Sequence, residues 1–132
     1  LIGHLGEMLR ASNHKRVNKN LKPFTIELDV NSIPTLKGAL DLFREGYSST
    51  LAPANRKFLE LLEPLGQRTS PISLNLGNIP YEYKNDSSTL DLIVDPQTCG
   101  PIALSCSENL ANKLIQNGPW HQIGYVRLEE IR

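Results

Sequence analysis

Phe24-Thr25-Ile26-Glu27-Leu28-Asp29-Val30 alternates apolar and polar residues without a break. Successive side chains of an extended chain point to opposite faces. The stretch therefore reads as a strand that buries Phe24, Ile26, Leu28 and Val30 and leaves Thr25, Glu27 and Asp29 on the other side. Upstream, Leu1, Leu5, Met8 and Leu9 recur at helical spacing, which predicts an amphipathic helix from Leu1 to Ser12 with Glu7 and Arg10 on its other faces. Gly3 and Gly6 weaken that helix, so a neighbouring backbone or a ligand is expected close to their face. His14, Lys15 and Arg16 follow at its electronegative end.

Downstream of the strand, Asn31 and Ser32 form a turn, and Leu36, Ala39, Leu40 and Phe43 restore the helical period until Gly46. Pro53 suits the first turn of a further helix carrying Phe58, Leu59, Leu62 and Leu65. From 66 to 88 the composition shifts to Gly, Pro, Ser and Asn, which predicts a long surface excursion with room for one short strand at Ile72, Leu74 and Leu76. Ser88 is placed to cap a short helix through Leu90, Ile93 and Val94 that stops near Asp95, ahead of Pro96. Ile102 to Cys106 reads as a compact strand. Ser105 or Ser107 then caps a helix with Leu110, Ala111, Leu114 and Ile115, closed by Gly118 and Pro119. A last strand sets Ile123 and Tyr125 against Val126 and Leu128, with both faces expected to be covered. Strands interleaved with helices predict an α/β (α+β) domain in which helices cover a mixed sheet.

The chain has 132 residues, enough for one core. Fourteen basic residues balance fourteen acidic ones, which removes the general attraction on which nucleic-acid and anionic-membrane binders depend. No apolar run approaches the roughly 20 residues of a membrane span, and no signal-peptide pattern opens the sequence, so a cytoplasmic location is expected. Cys99 and Cys106 are read as reduced thiols. Leu1 stands where an initiator methionine would, with the helical pattern already running, so the chain is expected to be one domain of a longer polypeptide.

Glycine-rich phosphate loops, zinc-ligand spacings and nucleophile elbows are all missing from the sequence. The most unusual stretch is Asp95-Pro96-Gln97-Thr98-Cys99-Gly100-Pro101. A bend of this kind can present N–H groups and a hydroxyl to an anion, but it feeds a predicted strand and lacks a helix dipole, so spacing alone favours an ordinary turn. His4, flanked by Gly3 and Gly6, reads as a capping or interface histidine or as a group facing a ligand. Cys99 has no basic neighbour in sequence and reads as inert. The run from His14 to Lys22 lacks interleaved aromatics and reads as a solvated loop more readily than a phosphate or RNA site. Asn55 and Arg56, near a helix start, suit an anion or an ordinary surface helix start equally well.

Taken together, LIGHLGEMLRAS at 1–12, STLAPANRKFL at 49–59, DPQTCG at 95–100 and IGYV at 123–126 resemble selenophosphate synthetase, or selenide, water dikinase, in that family's order and over nearly the whole chain. The resemblance implies the carboxy-terminal domain of the enzyme, with the fold of the aminoimidazole ribonucleotide synthetase superfamily. It further implies an amino-terminal ATP-binding domain in the same polypeptide, a homodimeric parent, and formation of selenophosphate, AMP and phosphate from selenide, ATP and water. ATP and magnesium would be handled by the parent. The family's reactive Cys or selenocysteine, its Lys and most magnesium-binding aspartates lie in the amino-terminal part, so neither a catalytic group nor a metal is expected in this fragment alone. The positions carried over are Gly3, His4, Asn55, Arg56, Asp95, Gln97, Thr98 and Gly100, implied to close a nucleotide or product cleft. Cys99 stands where the family has Ser, and Pro101 where it has Gly. The thiol is a weaker donor, and proline removes an N–H and fixes φ. These departures leave two other readings open: a non-catalytic interaction or fusion module docking through the face around Gly3 and Gly6, and a domain of another enzyme of the superfamily.

Overall fold

A computed structural model describes residues 1–63, 72–75, 87–96, 100 and 102–128. The alternating stretch forms β1 (Phe24–Asp29), followed by a single 3-10 turn at Val30–Ser32. Parallel to β1 lies β3 (Ile72–Asn75), and antiparallel to it lies β4 (Gly124–Leu128). A short β2 (Leu62–Glu63) runs parallel to β3 on its far side, so the sheet is mixed with the order β2-β3-β1-β4. Helices α1 (Ile2–Val17), α2 (Ala39–Arg44), α3 (Ala52–Asn55), α4 (Ser87–Val94) and α5 (Glu108–Asn117) complete the α+β fold.

The core is where the period-2 and period-3.6 patterns meet. Ile26, Leu28 and Val30 from β1 and the turn after it pack with Ile2, Leu5 and Leu9 of α1, Ile72 of β3, and Ile93 and Val94 of α4. Each such side chain contributes about 1.5–3 kcal/mol when fully withdrawn from water. Gly3 of α1 faces the Phe58 ring, and an added Cβ would lie 3.1 Å from it. Gly6 is itself buried. The close neighbour at Gly3 is thus an aromatic side chain and not the backbone or ligand expected there.

Two local devices fix α1 against β1. Asn13 donates from Nδ2 to the Phe24 carbonyl at 2.8 Å, and its Oδ1 accepts from the Phe24 N–H at 2.7 Å, so one side chain satisfies both backbone groups at the strand start. Arg16 donates from Nε to the Lys22 carbonyl at 2.6 Å and lays its guanidinium 3.9 Å over the Phe24 ring. Part of the basic run is thus committed to holding the α1–β1 connection.

Several elements differ from their sequence-based expectations. α1 runs on to Val17, so His14, Lys15 and Arg16 occupy its last turn. The helix expected from Pro53 through Leu62 is only α3 followed by a 3-10 stretch, Arg56–Leu61, and Leu62 begins β2; the expected Leu65 lies outside the described residues. Leu36 stays 86% exposed because α2 begins only after the left-handed Gly38, and Ser88 lies inside α4, buried, instead of capping it. The short strand allowed for at Ile72 is β3, between β1 and β2, with Ile72 fully buried. Residues 66–71 and 76–86 of the expected surface excursion lie outside the described residues.

The largest departures come late in the chain. Ile102 to Cys106 takes no regular structure, and Ile102 is 79% exposed; without a strand partner its apolar residues have nothing to pack on. β4 forms as expected, but Tyr125, Val126 and Leu128 are exposed, because it is an edge strand and α1 does not reach over it. Gly124 of β4 lies so close to β1 that a Cβ there would overlap the Glu27 carbonyl oxygen. The glycine is required by backbone approach, not by φ.

Two substitutions test this packing. Gly124→Ala is expected to push β4 off β1 and to lower unfolding free energy by about 3 kcal/mol; an unchanged urea midpoint would contradict the close approach. Asn13→Ala, which strands two backbone groups at Phe24, is expected to cost roughly 1–3 kcal/mol, while Asn18→Ala on the same helix end leaves the midpoint in place.

Candidate functional site

A cleft of ≈ 370 Å³ opens where the start of α1, the α3 region and the end of α4 converge. Its walls bring together Gly3, His4, Asn55, Asp95 and Gly100, five of the positions singled out in the sequence although Gly3 and Gly100 lie 97 positions apart. The amphipathic pattern of α1 explains one wall. Ile2, Leu5 and Leu9 are drawn into the core, which turns Gly3, His4 and Glu7 toward the opening. The opposite wall depends on α3 and α4. Asn55 donates from Nδ2 to the Val94 carbonyl at 2.9 Å and so ties the end of α3 to the end of α4, one residue before Asp95.

Arg56 takes a different place. Its Nη2 forms an ion pair with Oδ1 of Asp91, a residue of α4 that is only 6% exposed. The two charges compensate by proximity, since Asp91 Oδ1 has no hydrogen bond of good geometry. Arg56 is not among the residues lining the cleft. Gln97 and Thr98 lie outside the described residues.

His4 projects into solvent with its Nδ1 3.6 Å from Glu7 Oε2. Sequence reasoning passed over Glu7 in the cleft, although the i, i+3 spacing from His4 on a helix puts the two on one face. It also assigned Phe58 to the core alone, whereas its ring backs the cleft floor beneath Gly3. Burial holds the Asp95 carboxyl above the ordinary aspartate range.

Chemically, the lining offers an imidazole, two carboxylates and an amide. Among the described residues no group of three His, Cys, Asp or Glu stands close enough to hold a metal ion. Among the described lining residues no nucleophile is paired with a base.

Comparison with known proteins points the same way as the motifs. Over 131 residues the chain is 27% identical to the selenide, water dikinases of Nitratidesulfovibrio vulgaris strains DP4 and Hildenborough, a match covering 96% of the chain. It is 30% identical over 114 residues to the selenide, water dikinase of Caldanaerobacter subterraneus subsp. tengcongensis, covering 86% of the chain. The chain is similar to selenide, water dikinases. It spans 30% of the length of the Nitratidesulfovibrio enzymes and 25% of that of the Caldanaerobacter enzyme, so it corresponds to one portion of such a protein. No protein-family profile matches the chain. No solved structure matches it at a significant level. Among the described residues no helix is long and apolar enough to cross a membrane.

The raised Asp95 pKa has a defined sign. The folded chain holds the proton more tightly than the unfolded chain, so this group favours folding most below its unfolded pKa. That advantage is lost as pH rises through the folded pKa. NMR titration of the Asp95 carboxyl is expected to give a midpoint above the unperturbed value of about 3.9. A midpoint at or below that value would contradict the burial seen here.

Proposed function

We propose that this chain is the carboxy-terminal, cleft-forming domain of an ATP-dependent selenophosphate synthetase, whose complete polypeptide converts selenide, ATP and water to selenophosphate, AMP and phosphate. In this reading an amino-terminal ATP-binding domain holds ATP and magnesium and carries the reactive groups, and the parent is a homodimer. The chain described here supplies one wall of the cleft and excludes water from it. The observation that carries the proposal is the convergence of Gly3, His4, Asn55, Asp95 and Gly100 on one cleft, although only the resemblance linked them. The 27–30% identity to three selenide, water dikinases supports it independently.

The chemistry asked of such a wall is positioning and hydrogen bonding. Holding a bound group in a reactive geometry lowers a barrier without any side chain reacting. His4 and Asp95 are suited to that role because the first is exposed at the cleft mouth and the second is partly withdrawn from water, where a hydrogen bond counts for more. Arg56 acts behind the wall by holding α4 through Asp91.

The test uses the complete polypeptide. Selenide-dependent conversion of ATP to AMP is expected, and His4→Ala and Asp95→Asn are each expected to lower kcat/KM for ATP by roughly tenfold, the scale of one lost ligand hydrogen bond. Urea midpoints of both variants should stay within about 0.5 kcal/mol of the parent's stability, as for surface changes. Full activity in both variants would remove the cleft from the mechanism. A complete polypeptide that makes no AMP from ATP and selenide would remove the activity itself.

A further inference from the structure

The outer edge of β4 has a fixed hydrogen-bonding phase. Asp29 donates to the Ile123 carbonyl at 2.9 Å, and the β1–β4 register sets Glu27 opposite Tyr125 and Thr25 opposite Arg127. Hydrogen-bonded and non-hydrogen-bonded pairs alternate along an antiparallel ladder. Tyr125 and Arg127 therefore direct their backbone groups toward β1, and Gly124, Val126 and Leu128 direct theirs outward. Among the described residues no strand pairs with that outer edge.

We propose that the β4 edge pairs with the β4 edge of a second copy of this chain, antiparallel and centred on Val126. The strand is self-complementary in this register. Gly124, Val126 and Leu128 of one copy meet Leu128, Val126 and Gly124 of the other as hydrogen-bonded pairs, so every outward backbone group finds a partner, in roughly six hydrogen bonds. On the helix-bearing face, the exposed Val126 and Leu128 continue the row begun by Ile26 and Phe24, with Val126 against Val126 at the two-fold axis. Leu128 lies opposite Gly124, which carries no side chain to oppose it.

On the open face, Tyr125 of one copy lies opposite Arg127 of the other. Within one chain the Arg127 guanidinium already sits 4.9 Å from the Tyr125 ring and donates from Nε to Glu27 Oε2 at 2.8 Å. The two-fold pairing extends this into two rows across the joint, each alternating an aromatic ring with a cation. No like charges are opposed. Sliding one strand by a single residue would pair outward with inward-directed residues and break the ladder. A centre at 127 or 125 would keep the phase but set Arg127 against Arg127 or replace the Tyr125–Arg127 pairs by Tyr125 against Tyr125, so the side chains select the centre on Val126.

The contact is small, below the roughly 1,000 Å² of a stable interface, so association is expected with a Kd on the order of 100 μM. Sedimentation equilibrium of the chain up to about 1 mM, ten times that Kd, should show a monomer–dimer equilibrium. Val126→Lys, which puts a charge on the joint, should abolish it while circular dichroism stays unchanged. The register is read by cysteine pairing in a Cys99→Ser, Cys106→Ser background. Val126→Cys should oxidise to a covalent dimer, since residues at the axis stand about 5.5 Å apart between Cα atoms. Tyr125→Cys should stay monomeric, since its two copies are offset along the strands beyond the roughly 7 Å limit. A chain that is monomeric at the highest concentration, or equal cross-linking at 125 and 126, would overturn the proposal.

Discussion

Asp91 lies on α4 with almost none of its surface exposed, and a carboxylate in that position is tolerable only beside a compensating cation. Arg56 supplies the cation from the 3-10 stretch that follows α3, and Asn55, the residue before it, binds the Val94 carbonyl one turn further along α4. Two adjacent residues thus grip two points of one helix. The grip fixes where α4 ends, and with it where Asp95 enters the cleft opposite α1. Shape at the cleft therefore depends on a charge pair outside it. With Asp91 buried and Arg56 45% exposed, the pair adds little net stability, since desolvation of the carboxylate offsets the attraction, but it penalises arrangements in which Asp91 is left without its cation.

This explains which parts of the fold were legible in the sequence. β1 could be read because one face is buried and the other is not, so its burial is written as an alternation. α1 could be read for the same reason at a different period through Leu5 and Leu9, although Met8, expected on the same side, is 46% exposed and the fully buried Ile2 was not in the expected set. β3 was only dimly visible: Ile72 is buried like a core strand residue, yet the strand is short and sits in a region whose Gly, Pro and Ser content signals loop. The stretch from Arg56 to Leu61 kept a helical spacing of apolar residues but took 3-10 geometry. Its placement answers to Asp91, which lies far away in sequence and carries no local signal. Ile102 to Cys106 failed in the opposite sense: its composition suits a strand, but a strand exists only where an edge accepts it.

The candidate site divides along the same line. Motif resemblance picked out Gly3, His4, Asn55, Asp95 and Gly100, and the fold brings them to one cleft. What resemblance could not supply was the distinction between a residue that faces the cleft and one that holds its wall. Asn55 and Arg56 are neighbours in one motif, yet Asn55 lines the opening and Arg56 turns to Asp91. Gly3 shows a related ambiguity. Its lack of a side chain reads as room for a ligand, but the space is taken by the Phe58 ring.

The firmness of the chain is uneven, and the unevenness follows from burial. α1, β1, β3 and α4 share one apolar cluster, and the cleft is built on them. α5 has ten residues, fewer than the roughly 12–15 below which an isolated helix is marginal in water. Its Leu110 and Ile115 keep 45% and 40% of their surface exposed, and Ser107 makes no side-chain hydrogen bond at its N-cap. Neither capping nor burial of its apolar stripe holds this helix firmly. The cleft-bearing half, by contrast, keeps its shape through contacts it makes within itself.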